Sequence, residues 1–140
     1  MTINQISVFL ENKSGRIAEV TRVLADAGIN LRALTIADTA DFGILRIIAD
    51  NYEKAKKALE ENNFTTRVTR VLGVEVEDKP GALYNIMKIF TDNGINIEYL
   101  YATLERKDGK SVMIFKVASV EQGLKIAREN ALVTISGDDF

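Results

Sequence analysis

The sequence contains no histidine and no cysteine among its 140 residues, and it has only one proline. The chain therefore has no His-based catalytic triad, no thiol nucleophile and no soft metal site. Disulfide bonds are excluded as well, so side-chain packing must stabilise the fold. The 20 aspartate and glutamate residues form no recognisable acid–base or metal-ligand set. We predict a protein that is not an enzyme and that uses no cofactor or metal.

The chain also has little net charge and no long apolar run. Its formal net charge is −2, which gives no electrostatic reason to expect binding to nucleic acid or to an anionic membrane. No apolar stretch approaches the roughly eighteen residues that a membrane-spanning helix needs. Residues 1–5 lack the basic region of a signal peptide, and the apolar run that follows is too short for one. We expect a soluble, cytoplasmic protein that binds neither nucleic acid nor membrane.

An internal repeat organises what is present. Residues 11–15, which end in glycine, recur 66 positions later as residues 77–81. A Gly-Ile-Asn motif then follows each copy at the same distance, at residues 28–30 and 94–96. A glycine turn that leads into a helix leaves backbone N–H groups without partners. Small anions such as carboxylates bind at such places, so each half carries one candidate ligand-binding loop.

Apolar periodicity gives each half the same order of elements. Alternating apolar residues predict strands, and apolar residues at helical spacing predict two helices per half. The order is βαββαβ, so the fold class is α+β, with two ferredoxin-like modules whose antiparallel four-stranded sheets carry the helices on one face. We place module 1 at residues 1–70 and module 2 at residues 71–140, with no linker. The predicted strands are residues 6–10, 30–37, 42–49, 65–71, 72–76, 96–104, 111–118 and 131–136.

Turn and cap residues mark the ends of these elements. Residues 38–41 and 106–109 have the chemistry of hairpin turns. Gly28 and Gly94 end the first helix of each half as C-caps. Asp50 and Ser119 are the predicted N-caps of the second helices.

The repeated loop, followed thirteen residues after its glycine by Gly-Ile-Asn, resembles the signature of the ACT domain, a regulatory module that binds amino acids and related ligands. Residues 36–43 also resemble a subgroup of stand-alone tandem ACT proteins without a catalytic domain. The resemblance implies a non-catalytic, allosteric regulator that binds an amino acid. Aliphatic and tyrosine side chains among the residues expected between modules slightly favour an apolar one. Because sheet edges that pair within a chain can also pair between chains, we expect a homodimer.

The resemblance also implies the ligand-binding residues. In ACT domains of this type the loop after the first strand faces the second strand of a neighbouring module. Glycine lets the ligand approach the backbone, the helix start attracts a carboxylate, and asparagine offers both donor and acceptor groups. The predicted ligand-binding residues are Asn12, Lys13, Ser14, Gly15, Arg16, Asn30 and Leu31 in module 1, and Asp78, Lys79, Pro80, Gly81, Ala82, Asn96 and Ile97 in module 2.

Simpler explanations exist for several of these residues. The two loop lysines can be solvated charges, and the two asparagines can be turn residues that bond local backbone. Tyr99 and Tyr101 share a strand face and can line either a pocket or an oligomer interface. Ser14 departs from the proline that is common in the family, whereas Pro80 conforms. We therefore expect ligand at the second copy first.

Three other classes of function compete with this interpretation. An enzyme with acylphosphatase-like chemistry on this fold would require an arginine-bearing anion loop after the first strand, and Arg16 lies just past the loop. An RNA-binding module would stack bases on aromatic side chains of its central strands, yet residues 43–48 contain no aromatic ring and the matching strand of module 2 offers only Phe115. An adaptor that pairs with a metabolic enzyme and binds no metabolite is the main alternative, because pairing edges and ligand sites share one surface.

Overall fold

The computed structural model describes residues 1–39 and 41–139, and the side chains of residues 105–107 are left aside. The first half has strands β1, β2 and β3, helices α1 and α2, and the beginning of strand β4. Its elements are β1 (Ile3–Glu11), α1 (Arg16–Asp26), β2 (Leu31–Asp38), β3 (Phe42–Ala49), α2 (Tyr52–Glu61) and β4 (Thr65–Glu77).

The second half starts within β4 and repeats the order. Its further elements are α3 (Ala82–Asp92), β5 (Ile97–Lys107), β6 (Lys110–Val117), α4 (Val120–Glu129) and β7 (Thr134–Ile135), followed by a 3-10 turn at Gly137–Asp139. The predicted α+β fold with two βαββαβ modules is therefore confirmed. Strand β7 is shorter than predicted, because only two residues of 131–136 are in a strand.

Strand pairing in module 1 is antiparallel and places β3 between β1 and β2. Ile6 lies opposite Ile47, and Glu11 lies opposite Phe42, at the end of the sheet where the first loop begins. Leu31 lies opposite Ala49 at the other end, with an irregularity in β2 between Leu31 and Ala33. Strand β4 also pairs with β1.

The second module repeats this register. Leu72 of β4 lies opposite Phe115 of β6, and Glu77 lies opposite Lys110. Strand β5 pairs with the other edge of β6, and β7 pairs with β4. The β5–β6 hairpin turns through Asp108 and Gly109, whose φ angles are both positive. A two-residue turn of this kind matches the twist of the strands it joins.

Each module has its own apolar core. In module 1 alternate residues of β1 and β3, among them Ile6, Val8 and Ile47, pack against Val20 and Leu24 of α1. In module 2 the core contains Leu72, Val74, Ile86, Phe90, Phe115 and Leu124. The rings of Phe90 and Phe115 lie 5.7 Å apart between centroids, at an interplanar angle of 54°. Burial of these apolar faces is the main source of stability for helices of 10 or 11 residues.

The helix caps in the structure agree in part with those predicted from the sequence. Gly28 and Gly94 follow the last turns of α1 and α3 with φ of 71° and 73°, as αL residues at helix ends do. Ser119 caps α4 by accepting a hydrogen bond from the Gln122 N–H. The prediction of Asp50 as N-cap of α2 is wrong, because the adjacent Asn51 accepts from the Lys54 N–H. In the predicted turn at 38–41, Ala40 lies outside the described residues.

The chain divides into two compact units, residues 4–69 and residues 1–3 with 70–140. Strand β4 runs without interruption from Thr65 to Glu77, so it begins in the first unit and ends in the second. Ile3 belongs to the second unit, where its Cδ1 lies 2.6 Å from the position that a Cβ on Gly73 would take. Among the helices of residues 1–39 and 41–139, none is long and apolar enough to cross a membrane.

Candidate functional site

The two repeated loops have the same backbone geometry at the starts of α1 and α3. Gly15 and Gly81 occupy the N-cap positions with φ of 88° and 84°. An L side chain rarely adopts this left-handed conformation, which explains the glycines. A Cβ placed on either glycine would meet no atom within 4 Å. The backbone at both glycines is therefore uncrowded, and residues 12–15 and 78–81 are exposed.

The starts of α1 and α3 also differ from those of the other two helices. Within the described part of the chain, no side chain caps α1 or α3, whereas Asn51 and Ser119 cap α2 and α4. An uncapped start leaves N–H donors and the positive end of the helix dipole available. The chain thus provides one accessible anion-attracting helix start in each module.

Backbone hydrogen bonds hold both loops in the same way. The Asn12 N–H donates to the Asp41 carbonyl at 2.8 Å, and the Asp78 N–H donates to the Gly109 carbonyl at 3.0 Å. The Asn12 side chain also donates to the Thr39 carbonyl at 3.3 Å. Each loop is therefore fastened to the hairpin turn of its own module. This shared anchoring makes the two loops equivalent in shape before any ligand arrives.

The loop lysines form local ion pairs. Lys13 Nζ lies 3.0 Å from Glu11 Oε2, and Lys79 Nζ lies 2.6 Å from Glu77 Oε2. Hydrogen bonding to the ammonium groups, with their charge as the next cause, lowers the pKa of both glutamates below the usual 4.5. Both pairs are exposed, so they contribute little to folding. The geometry favours the simpler reading of these lysines as solvated loop charges.

We expect Lys79→Met to raise the pKa of Glu77 toward its usual value, because the variant removes both the hydrogen bond and the charge. A carboxylate whose pKa is lowered by folding contributes stability above its unfolded pKa, and this contribution is lost as pH falls through the folded pKa. The small contribution here is therefore complete above about pH 4.5 and is lost progressively as the pH falls from there through the lowered pKa of Glu77. An NMR titration that follows the side-chain carboxyl carbons measures both glutamates, with Glu11 as the internal control. An unchanged Glu77 pKa in the variant would contradict the ion pair.

Arg16 distinguishes the first loop from the second. Its Nη1 lies 2.9 Å from Glu19 Oε2, and its guanidinium carbon lies 5.0 Å from the centroid of the Phe64 ring. Its Nε is buried without a hydrogen-bond partner among the described residues. Ala82 occupies the matching position as the first residue of α3, so module 2 has no cation there. The remaining predicted loop residues, Ser14 and Pro80, are exposed.

The structure places the predicted strand-start residues at the other end of each module. Leu31 pairs with Ala49 and Ile97 pairs with Val117, whereas the loops begin beside Phe42 and Lys110. The 11 residues of α1 or α3 separate the two ends by about 16 Å at 1.5 Å per residue. No single module therefore brings its own loop and strand start together.

The two asparagines at these strand starts are exposed. The Asn30 N–H donates to Asp50 Oδ1 at 3.2 Å, and the Asp50 N–H donates to the Asn30 carbonyl at 3.0 Å. This bonding uses the Asn30 backbone and explains why Asp50 is not the cap of α2. Tyr99 and Tyr101 stack on one face of β5, with centroids 6.5 Å apart.

Sequence reasoning missed one feature near the first loop, an apolar pocket that includes Phe9 and Phe42. Exposed aromatic residues two strands apart in sequence carry no local signal that they will meet. The register of β1 and β3 brings them together. Among the described residues, no group of three or more histidine, cysteine, aspartate or glutamate side chains could hold a metal ion.

Comparison with known proteins gives consistent results. The family model of an ACT domain pair matches residues 1–140. The acetolactate synthase small subunit of Buchnera aphidicola subsp. Baizongia pistaciae is 29% identical over 89 residues, which are 63% of this chain and 56% of that protein. The match therefore spans little more than half of the length of this curated relative.

Two solved structures are similar over nearly the whole chain. Protein BT0572 from Bacteroides thetaiotaomicron is 38% identical, with a TM-score of 0.93 over 99% of this chain and 95% of its own. The regulatory subunit of aspartate kinase from Thermus thermophilus is 16% identical, with a TM-score of 0.65 over 90% of this chain and 91% of its own, which is a likeness of fold alone. Together with the duplicated glycine loops and their uncapped helices, the family match shows that this chain belongs to the ACT domain pair family.

Proposed function

We propose that the protein is a regulator that binds an amino acid at sites formed between ACT modules. The observation that carries this proposal is the contrast among the four helices. The two helices that follow the repeated glycine loops are uncapped and open in front, whereas the other two are capped by their own side chains. The family model of an ACT domain pair covers all 140 residues, which supports a regulatory rather than a catalytic role.

The chemistry of the loop suits the α-carboxylate of an amino acid. The helix start supplies N–H donors and a partial positive charge, and the glycine allows close approach of the backbone. The side chain of Asn96 or Asn30 would bind the polar groups of the ligand from a second module, because a loop and strand start of the same module lie at opposite ends. An amino acid has few atoms, so we expect a micromolar or weaker dissociation constant.

Binding between modules also explains how the ligand would regulate. A ligand that contacts two modules stabilises the arrangement in which both contacts exist, and the coupling free energy is typically about 1–3 kcal/mol. We propose a cytoplasmic homodimer, in which a second copy can supply the neighbouring module. The curated relative is a small subunit of acetolactate synthase, which supports a role beside a metabolic enzyme.

A thermal-shift screen of the purified protein against the twenty amino acids tests this function. We expect stabilisation by one chemical class, and its loss in Gly81→Val, because valine cannot adopt a φ of 84° without strain. Asn96→Ala tests the opposite side of the site with an exposed residue whose replacement leaves the fold intact. Gly15→Val shows whether module 1 binds as well, and Gln122→Ala, an exposed amide on α4, is the matched control.

Two results would overturn amino-acid binding. One is the absence of any shift at millimolar amino acid, and the other is an undiminished shift in both Gly81→Val and Asn96→Ala. The first result would favour the second candidate, an adaptor that pairs with a metabolic enzyme without a metabolite. That candidate predicts co-elution with an acetolactate synthase catalytic subunit in the absence of amino acids.

A further inference from the structure

A pocket of about 320 Å³ opens at the hairpin end of the sheet in module 1. Two of its residues, Phe9 and Phe42, are large apolar side chains left 43% and 64% exposed. The volume lies at the lower end of the range for small-molecule sites. None of the predicted loop or strand-start residues lines it. The lining residues are Phe9, Leu10, Ala37, Asp38, Thr39, Phe42, Gly43 and Ile44.

Strand register places the aromatic residues on one face. Phe9 of β1 lies opposite Ile44 of β3. Two residues closer to the first loop, Glu11 lies opposite Phe42. Side chains two apart on a strand point to the same side. Phe9, Phe42 and Ile44 therefore share the sheet face away from the α1 and α2 core, since Val8 and Leu45 on the alternate positions belong to that core.

The second module shows that the fold does not require these apolar residues. In the matching register Glu75 lies opposite Val112, and Lys110 lies opposite Glu77. Glu75 and Lys110 thus occupy the positions of Phe9 and Phe42, and they form an ion pair at 3.8 Å. In module 2, a solvated ion pair is therefore sufficient at this end of the sheet. The exposed phenyl rings in the other therefore require an explanation outside folding.

The charge around the pocket has one sign. Asp38 lines the pocket, and Asp41 follows in the same turn. Among residues 1–39 and 41–139, neither carboxylate has an ion pair. Among the residues whose side chains the structure describes, no lysine or arginine lines the pocket. Lys13, in the neighbouring loop, is paired with Glu11, and Arg46 lies on β3 beyond Ile44 and outside the lining.

We propose that this pocket binds a small organic cation with an apolar body. Exposed phenyl faces attract ammonium groups through their quadrupole, and the unpaired aspartates add favourable Coulomb energy. The apolar body of the ligand would cover Phe9, Phe42 and Ile44 and remove them from water. None of the predicted loop residues lines this site, and the proposal does not rest on amino-acid binding at the loops.

Three matched probes test the proposal in ¹⁵N-labelled full-length protein: 2-phenylethylammonium, 2-phenylethanol and phenylacetate. They share a phenyl body and differ in charge. We expect the cation to shift the amide signals of Thr39, Gly43 and Ile44 with a dissociation constant on the order of 1 mM. We expect the alcohol to bind about threefold to tenfold more weakly and the carboxylate to cause no shift.

Variants test the apolar contacts and the charge interaction of the pocket separately. Phe42→Ser should abolish binding of the cation and of the alcohol, and Asp38→Asn should weaken only the cation. Tyr84→Ser, which changes an exposed aromatic residue on α3, should leave all three titrations unchanged. Equal binding of the three probes, or no shift at millimolar cation, would overturn the proposal. Concentration-dependent shifts of the same amides without any probe would overturn it in favour of a second copy of the chain.

Discussion

Phe90→Ala should lower the free energy of unfolding by about 4 kcal/mol, because it removes a large ring from the centre of a module and leaves a cavity. Phe90 has no exposed surface and packs on Phe115 in the second core. The carbonyl of Phe90 also accepts the Ile95 N–H at 2.9 Å, so the residue sits where helix α3 ends. A domain typically has 5–15 kcal/mol of stability in total, so the variant should lose a large share of it.

Urea unfolding followed by circular dichroism measures this loss. Tyr84→Ala is the matched control on the same helix, since Tyr84 is 65% exposed and its replacement should change stability by less than about 0.7 kcal/mol. A Phe90→Ala loss no larger than that of the control would show that the ring is not packed in the core as described.

Gly123→Val should also lower the free energy of unfolding strongly, although helix propensities alone predict an increase. Glycine in a helix interior costs about 1 kcal/mol relative to alanine, so propensity alone predicts that a larger residue here is stabilising. A Cβ on Gly123 would lie 2.5 Å from Leu72 Cδ1 and 3.2 Å from Val117 Cγ2. Leu72 is itself fully buried and cannot move aside freely, so we expect a loss of about 2–4 kcal/mol from overpacking.

Lys125→Val tests whether valine in this helix is destabilising by itself, because position 125 is an exposed site on the same helix. Its cost should stay below about 1 kcal/mol. Stabilisation by Gly123→Val would mean that α4 stands further from β4 and β6 than the structure places it. Equilibrium unfolding of both variants under identical conditions decides between these outcomes.

The repeat and the periodicities were enough to predict the fold. Each strand or helix of the first half recurs in the second with the same apolar positions, so two weak local signals confirm one another. The positive-φ glycines at 15 and 81 were visible for the same reason. Local hydrogen-bonding chemistry was less decisive, as Asn51 and Asp50 show: both residues suit an N-cap, and the bond between Asp50 and Asn30 comes from strand pairing.

Burial on the second face of β1 could not be predicted. The alternation of Ile6, Val8 and Leu10 with residues 5, 7 and 9 indicates one buried face, yet Gln5 has no exposed surface and Ser7 is also buried. Apolar periodicity indicates which face of a strand is apolar. It does not indicate whether the opposite face is also covered by other parts of the protein. The Gln5 amide donates to the Ser7 hydroxyl at 3.5 Å, and bonding of this kind lets a polar residue stay inside.

For the candidate site, the sequence predicted the loops but not their surroundings. It could not show that Lys13 and Lys79 form ion pairs with neighbouring glutamates, since those pairs depend on the turn conformation. Nor could it show that the asparagines of each module lie at the far end from the loop. The pocket around Phe9 and Phe42 depends on register between strands more than thirty residues apart, which a reading of local patterns does not reach.

The uninterrupted strand β4 makes the two modules inseparable as pieces of polypeptide. A cut at residue 70, where the repeat suggests a boundary, falls inside a strand of 13 residues and interrupts an element that both modules share. Because side chains alternate along a strand, one inserted residue in β4 would also turn every residue beyond it to the wrong face. An insertion of two residues would preserve the faces. Evolution and protein engineering can therefore lengthen this junction only in even steps, although each half repeats a complete set of elements.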